Sequence, residues 1–235
     1  SIDDRLKIGF AMYGNFGLGL HFGDWAGSSL VKNTTLMALT LQPSVAYKLN
    51  DQWSIGGGLG INYGYFSLKR DTAAGEEQSR DGDWAINAKL GLMYEPTTDT
   101  RFGLAYTSQT EYNYDVKANV TLSYTIPNPI PNRPGITLTK EFTVPIEGTV
   151  NTPQQLVFSA FHQLSPQWAV MGNLGWQDWS AYGDSAIWAG NKQVPSKERL
   201  QDTWHIALGA QYQATSDLRL NTGIAYDTSF YKDQN

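Results

Sequence analysis

Between residues 84 and 94 the side chains change character at every step. Even positions carry Trp84, Ile86, Ala88, Leu90, Leu92 and Tyr94, and odd positions carry Ala85, Asn87, Lys89, Gly91 and Met93. The same rhythm runs through 53–65, where Trp53, Ile55, Leu59, Ile61, Tyr63 and Tyr65 alternate with Ser54, Gly56, Gly58, Gly60, Asn62 and Gly64. It returns in 102–115, and in 203–213 with Trp204, Ile206, Leu208 and Tyr212 set against His205, Gly209 and Gln211. A period of two places successive side chains on opposite faces of a strand, so the chain is all-β with two unlike faces.

The second face decides which kind of β protein this is. A soluble sandwich turns its large apolar residues inward and its charges outward. Here the polar face is mostly Gly, Ala, Ser, Asn, Thr and Gln. Charged residues make up only 17% of the chain, against about 25% in soluble domains. That composition fits a crowded polar interior with the apolar face turned to lipid, the pattern of a transmembrane β-barrel. No run of about 18 apolar residues exists, which excludes a membrane-spanning helix.

The connections alternate in length. Short ones lie at 49–52, 96–100, 165–167 and 214–217. Long ones lie at 22–33, 69–83, 126–136, 181–200 and after 227. Tight turns on one side and long loops on the other describe an up-and-down outer-membrane barrel. Tyr47, Trp53, Tyr94, Phe102, Trp168 and Tyr212 bracket the short turns, as rings seated at a headgroup boundary do. Strands are expected near 5–21, 34–48, 53–68, 84–95, 101–125, 137–163, 167–180, 201–213 and 218–227. Nine strands is an odd number, and an open edge in lipid leaves backbone groups unpaired at several kcal/mol each. Residues 1–235 are therefore expected to form one transmembrane β-barrel segment of a larger barrel. Ser1 leads straight into Ile2-Asp3-Asp4 with no leader pattern, so whatever preceded it is expected to have been removed.

Other classes are set aside by what the chain lacks. It has no cysteine, hence no disulfide framework or thiolate metal site, and its net charge of −5 gives no basic footprint for nucleic acid. Its three histidines, His21, His162 and His205, sit in no nucleophile motif such as G-x-S-x-G and show no metal-ligand spacing. Neither an enzyme nor a cofactor or metal site is expected.

An ordered set of short stretches resembles the FadL family of long-chain fatty-acid and hydrocarbon transporters. These are Gly14-Asn15-Phe16-Gly17-Leu18, the run from Gln42 to Ser54 (QPSVAYKLNDQWS), 84–96 (WAINAKLGLMYEP), 99–106 (DTRFGLAY), 167–171 (QWAVM), Trp179-Ser180, 202–209 (DTWHIALG) and 223–227 (GIAYD). Together they cover nearly the whole chain. The resemblance implies a 14-stranded barrel plugged by a small N-terminal hatch, with this chain supplying the third to eleventh strands. It implies passive transport of a hydrophobic small molecule in the bacterial outer membrane, in contact with membrane lipid and lipopolysaccharide, by a monomer. It also implies capture at the outer loops and sideways exit at an inward kink.

Gly14, Asn15, Phe16 and Gly17 match that kink. Glycine in a strand often marks a bulge, and asparagine tolerates unusual backbone angles. Pro43 cannot donate to a ladder and is expected to mark a second bulge. Arg70, at the outer end of its strand, matches a family position that contacts the fatty-acid carboxylate. A guanidinium can grip a carboxylate through two parallel hydrogen bonds. Lys197 lies near a second basic position. By parity Lys89, Glu111, Asp115 and His205 face the lumen, where they could pair with one another. The chain departs from the resemblance at 69–83, expected to be a short polar loop with little apolar surface. The arms flanking the proline-rich 126–136 are expected to project as a hairpin. Two rival functions remain: a structural or adhesive barrel acting through the hairpin at 112–150, and a general porin.

Overall fold

The alternation of large apolar and small polar residues becomes one long antiparallel wall. The computed structural model describes residues 5–29, 31–72, 75–130, 133–184, 187–189, 192–194 and 200–231. The strands are β1 (Leu6–His21), β2 (Asn33–Lys48), β3 (Trp53–Thr72), β4 (Gly75–Thr97), β5 (Thr100–Thr107), β6 (Thr110–Ile126), β7 (Ile136–Thr152), β8 (Gln155–Gln163), β9 (Trp168–Gln177), β10 (Ile187–Ala189), β11 (Lys192–Val194), β12 (Thr203–Gln213) and β13 (Arg219–Asp227). Nine of them form a curled sheet in the order β1-β2-β3-β4-β5-β8-β9-β12-β13, an up-and-down half-barrel. A second sheet, β11-β10-β7-β6, is built on the hairpin that leaves the wall after β5.

The wall is inside-out relative to a soluble protein. Trp84, Ile86 and Leu90 are 63, 68 and 59% exposed on one face, while Thr40, Asn62 and Asn87 are buried on the other. In water such an apolar face would carry a cost of roughly 25 cal/mol for each Å² exposed; in lipid it carries none. Several of these buried polar groups bond one another, although Asn87 Oδ1 has no hydrogen-bond partner among the described residues. Thr40 Oγ1 donates to Asn62 Oδ1 at 2.6 Å, Asn62 Nδ2 donates to the Gly60 carbonyl at 3.0 Å, and Asn87 Nδ2 donates to Thr110 Oγ1 at 3.0 Å.

Aromatic rings border the lipid face. At the short-turn end Trp53 stacks on Tyr94 at 4.3 Å, and the row continues through Phe102 and Phe158; Trp168 meets Tyr212 at 4.6 Å. At the other end Tyr63 meets Trp84 at 5.0 Å. Trp53 and Tyr63 are separated along β3 by about 34 Å of extended chain, which at a tilt near 40° spans about 26 Å of height. That matches the apolar band of about 25 Å typical of outer-membrane barrels. No helix among the described residues is long and apolar enough to cross a membrane.

Four features differ from the sequence expectations. Residues 69–83 are not a loop: β3 and β4 stay paired out to Thr72↔Gly75. Backbone pairing needs no apolar side chains, and cross-strand ion pairs suit the polar sequence; Gly75, at φ +117°, makes the turn that other residues resist. The strands expected at 101–125 and 137–163 each break in two, at 108–109 and 153–154; at the first break Ser108 donates its N–H to the Ala88 carbonyl and its Oγ accepts from the Ala88 N–H. Pro43 makes no bulge. The β1–β2 register runs through it, and the β2–β3 ladder skips Gln42 and Pro43 without shifting, so the missing donor costs ladder bonds but not register. Part of the expected loop at 181–200 is ordered, with a 3-10 turn over Trp179–Asp184 and β10 added to β7.

Candidate functional site

The β1–β2 ladder carries one irregularity. Gly14 pairs with Leu39 and Phe16 pairs with Ala38, leaving Asn15 with no residue opposite. One extra residue on one strand is a β-bulge, and it reverses the side-chain phase on one side of itself. Below it Ile8, Phe10 and Met12 stand opposite Val45, Pro43 and Leu41 and face outward with the exposed apolar row. Above it Phe16, Leu18 and Leu20 stand opposite Ala38, Leu36 and Thr34. Ala38 is buried, and Phe16 and Leu36 pack against the interior cluster. The same even-numbered apolar series thus turns from lipid to lumen at Asn15.

A cavity of about 720 Å³ opens at this point. Asn15, Phe16, Gly17, Leu18, Leu20 and Leu36 form one side, and Trp179, Leu200, Phe230 and Tyr231 form the other. The far wall is an aromatic cluster, with Trp179 and Phe230 rings 5.7 Å apart and Phe230 and Tyr231 rings 4.4 Å apart. Its polar lining consists of hydroxyls and amides, among them Asn87, Ser108, Thr152 and Gln177, and no Lys, Arg, Asp or Glu is among the lining residues. Such a surface accepts an apolar, elongated or aromatic body. No group of three or more His, Cys, Asp or Glu side chains that could hold a metal ion occurs among the described residues.

The roof comes from the hairpin. Tyr112 and Tyr114 are buried against the inside of the wall, with Phe66 over Tyr114 and Phe16 edge-on to Tyr112. Because β6 has left the wall, the residues that would have met lipid press on the barrel's own interior. Neither tyrosine hydroxyl has a hydrogen-bond partner among the described residues; a buried unpaired hydroxyl costs about 1–3 kcal/mol. Three side chains of β4 hold β6 in place. Asp83 and Asp81 accept the N–H groups of Asn113 and Asp115 at 2.7 and 2.6 Å, and Ser79 donates to the Lys117 carbonyl at 2.8 Å.

The polar residues singled out from the sequence are scattered. Lys89 lies over the Tyr13 ring and bonds its hydroxyl, which donates to Gln42 Oε1 at 2.6 Å. His205 Nδ1 is 2.7 Å from Asp227 Oδ1. Glu111 accepts from Asn113 Nδ2 at 3.3 Å, and Asp115 is exposed on the face of β6 turned away from the wall. Among the described residues the four do not pair with one another. Arg70 is buried, its Nη2 2.6 Å from Glu77 Oε2. Lys197 lies outside the described residues. At the outer rim Lys32 gathers Asp24, Glu76 and Asp71 at 2.6, 2.8 and 3.2 Å, and Lys69 also pairs with Glu76. Asp24, then Glu76 and Asp71, hold the Lys32 ammonium well above its ordinary value, while Lys32 and then Lys69 pull the Glu76 carboxyl down to about 2.

Residues 1–235 match the family described as outer membrane protein transport protein (OMPP1/FadL/TodX). The chain belongs to this family. As an OMPP1/FadL/TodX chain it is a bacterial outer-membrane protein. It is similar to the long-chain fatty acid transport proteins of Salmonella typhi (28% identical) and Escherichia coli K12 (26% identical), covering all of this chain and 59 and 60% of theirs. It is 22% identical to outer membrane protein P1 of Haemophilus influenzae over 99% of this chain and 56% of that protein. The chain therefore spans about 60% of the length of the curated relatives it matches. In fold it resembles a Pseudomonas aeruginosa FadL homologue, with a TM-score of 0.73 and 15% identity over 99% of this chain and 59% of that one. It also resembles the Ralstonia pickettii toluene transporter TbuX, with a TM-score of 0.68 and 18% identity over 96% and 67%.

Leu18, Leu20, Tyr112, Phe230 and Tyr231 were not singled out as site residues from the sequence. The signals for them were present but weak: Asn15 beside Gly14, with Gly17 close by, on an otherwise regular strand, and Ser108-Gln109 and Pro153 where the hairpin departs.

Proposed function

We propose that this OMPP1/FadL/TodX chain forms part of a passive transporter that takes apolar compounds, long-chain fatty acids or hydrocarbons, across the outer membrane. The cavity is the internal station and the bulge at Asn15 is the lateral exit. The observation that carries this reading is the coincidence of the two: the cavity touches Asn15 and Gly17 at the one place where β1 departs from its ladder. Bulged backbone gives up ladder bonds, so neighbouring strands separate there at the least cost. The proteins it is similar to, a long-chain fatty acid transport protein and a toluene transporter, support this substrate range. No energy source is implied, since a ligand partitioning between apolar surfaces moves down its own gradient. Arg70 is engaged by Glu77, so a carboxylate held there must displace that partner.

Deleting Asn15 tests the exit apart from the cavity. The deletion leaves Gly14 facing outward and Phe16 inward as neighbours on a regular strand, so the rest of the lining is kept and the bulge removed. Radiolabelled oleate and toluene uptake by a transporter-null strain carrying the full-length protein is expected to fall by about tenfold, with ligand affinity in micelles changed by less than about 0.5 kcal/mol. Undiminished uptake refutes the exit route. Steady ion conductance of the native protein in planar bilayers would favour the porin reading instead.

A further inference from the structure

The seat of the hairpin on the wall is shaped by one missing side chain. A Cβ on Gly64 would lie 2.3 Å from the Tyr114 hydroxyl and 2.6 Å from Tyr112 Cδ1, so both rings rest where position 64 is bare. Tyr112 is fully buried, and its ring meets Phe16, the first inward residue above the bulge, at 6.2 Å and 69°. Directly opposite Tyr112 in the hairpin ladder is Val150, which lines the cavity along with Thr152 two residues on. Tyr112 therefore touches the exit side of the cavity through Phe16 and faces the cavity's roof residue across the ladder. Its strand hangs on the wall through Asp83, Asp81 and Ser79 rather than through a backbone ladder. Its position can thus shift without opening the barrel wall.

We propose that Tyr112, seated on Gly64, is a positioning and specificity-determining residue: it fixes the Phe16 ring and the Val150 roof, and so sets the girth of apolar molecule that can pass from the cavity to the bulge. This rests on the transport reading above. A purely structural tyrosine would change the amount of folded protein and all substrates alike. A girth-setting one changes the ratio between substrates.

The test compares uptake of a slender probe, n-hexadecane, and a broad one, pyrene, by cells carrying the full-length protein, normalised to folded protein by heat-modifiable gel migration. Tyr112→Ala should raise the pyrene-to-hexadecane ratio about tenfold, the scale of a hydrophobic pocket changed by a few methylenes. Tyr112→Phe should leave it unchanged, because the ring and not the hydroxyl fills the seat. Gly64→Ala, which pushes the rings toward Phe16, should lower the ratio, and this effect should vanish in the Tyr112→Ala background, as coupled neighbours require. If Tyr112→Ala does not fold, Gly64→Ala decides alone. An unchanged ratio in the folded variants, or a Tyr112→Phe shift as large as that of Tyr112→Ala, overturns the proposal. Uptake of neither probe by the native protein overturns the transport reading itself.

Discussion

The lower and upper halves of β1, residues 6–14 and 16–21, are built from the same materials. Ile8, Phe10 and Met12 occupy even positions in one, and Phe16, Leu18 and Leu20 occupy even positions in the other. The first set faces lipid and the second lines a cavity. What a barrel side chain meets is therefore decided by its register against the neighbouring strand, not by its place in the alternation. One unpaired residue converts a membrane-facing ridge into a cavity-facing one. The switch falls in the ladder row of Leu39 and Tyr63, beside the aromatic pair that ends the lipid face. Beyond that row Gly17 and Gly19 take the outward positions.

The sharpest way to break this contrast is a matched pair of charges. Phe10→Arg, near the middle of the lipid face, places a guanidinium toward acyl chains and is expected to cost about 2–4 kcal/mol in refolding from denaturant into bilayers. Leu18→Arg, turned into the lumen, is expected to cost less than about 1 kcal/mol. Equal penalties would erase the distinction between the halves. A gentler pair reads ligand instead of stability. Leu18→Ala should weaken binding of an apolar fluorophore several-fold, about 1 kcal/mol for the side-chain area lost to the ligand, and Met12→Ala should leave it unchanged. Smaller again is the contribution of the lower girdle: Trp53→Leu gives up the stack on Tyr94 and is expected to cost about 0.5–1.5 kcal/mol beyond the area it buried, read as a lowered denaturation midpoint. The smallest effect is local to the rim. Glu76, lowered from 4.5 to about 2, contributes fully above pH 4.5 and loses its contribution as pH falls toward 2. Lys32, raised above 10.5, contributes fully below that pH and loses its contribution only as pH rises through the raised value. A spin label at Thr72→Cys should thus stay immobile through the neutral range and loosen only at the two extremes.

The wall was legible in the sequence because lipid and lumen impose period two on almost every strand. Trp84, Ile86, Leu90 and Leu92 declared their face without help. The turn at Asn15 was legible as an irregularity but not as an inversion. The even-numbered series runs unbroken from Ile8 to Leu20, so the alternation looks continuous across the very residue where the faces exchange. Only the pairing with β2, a non-local fact, shows which residue is supernumerary. The buried role of Tyr112 and Tyr114 was hidden for a related reason. Alternation in 102–115 reads as one strand, whereas the ladder ends at Thr107 and the next strand folds inward onto Gly64, which pattern alone marks as just another small residue. Arg70 looked available to a ligand because its partner Glu77 lies across a turn expected to be loop.

Residues 1–235 contain no cysteine, so single cysteines can be placed at each position from 8 to 20 of the full-length protein, with any cysteine outside this chain replaced by serine, tagged with a fluorophore and read for quenching by brominated lipid. If Asn15 reverses the faces, even positions are the more strongly quenched up to 14, and odd positions are the more strongly quenched from 17 onward. A pattern that favours even positions along the whole strand would mean that Phe16, Leu18 and Leu20 look into lipid and that the cavity has no such wall.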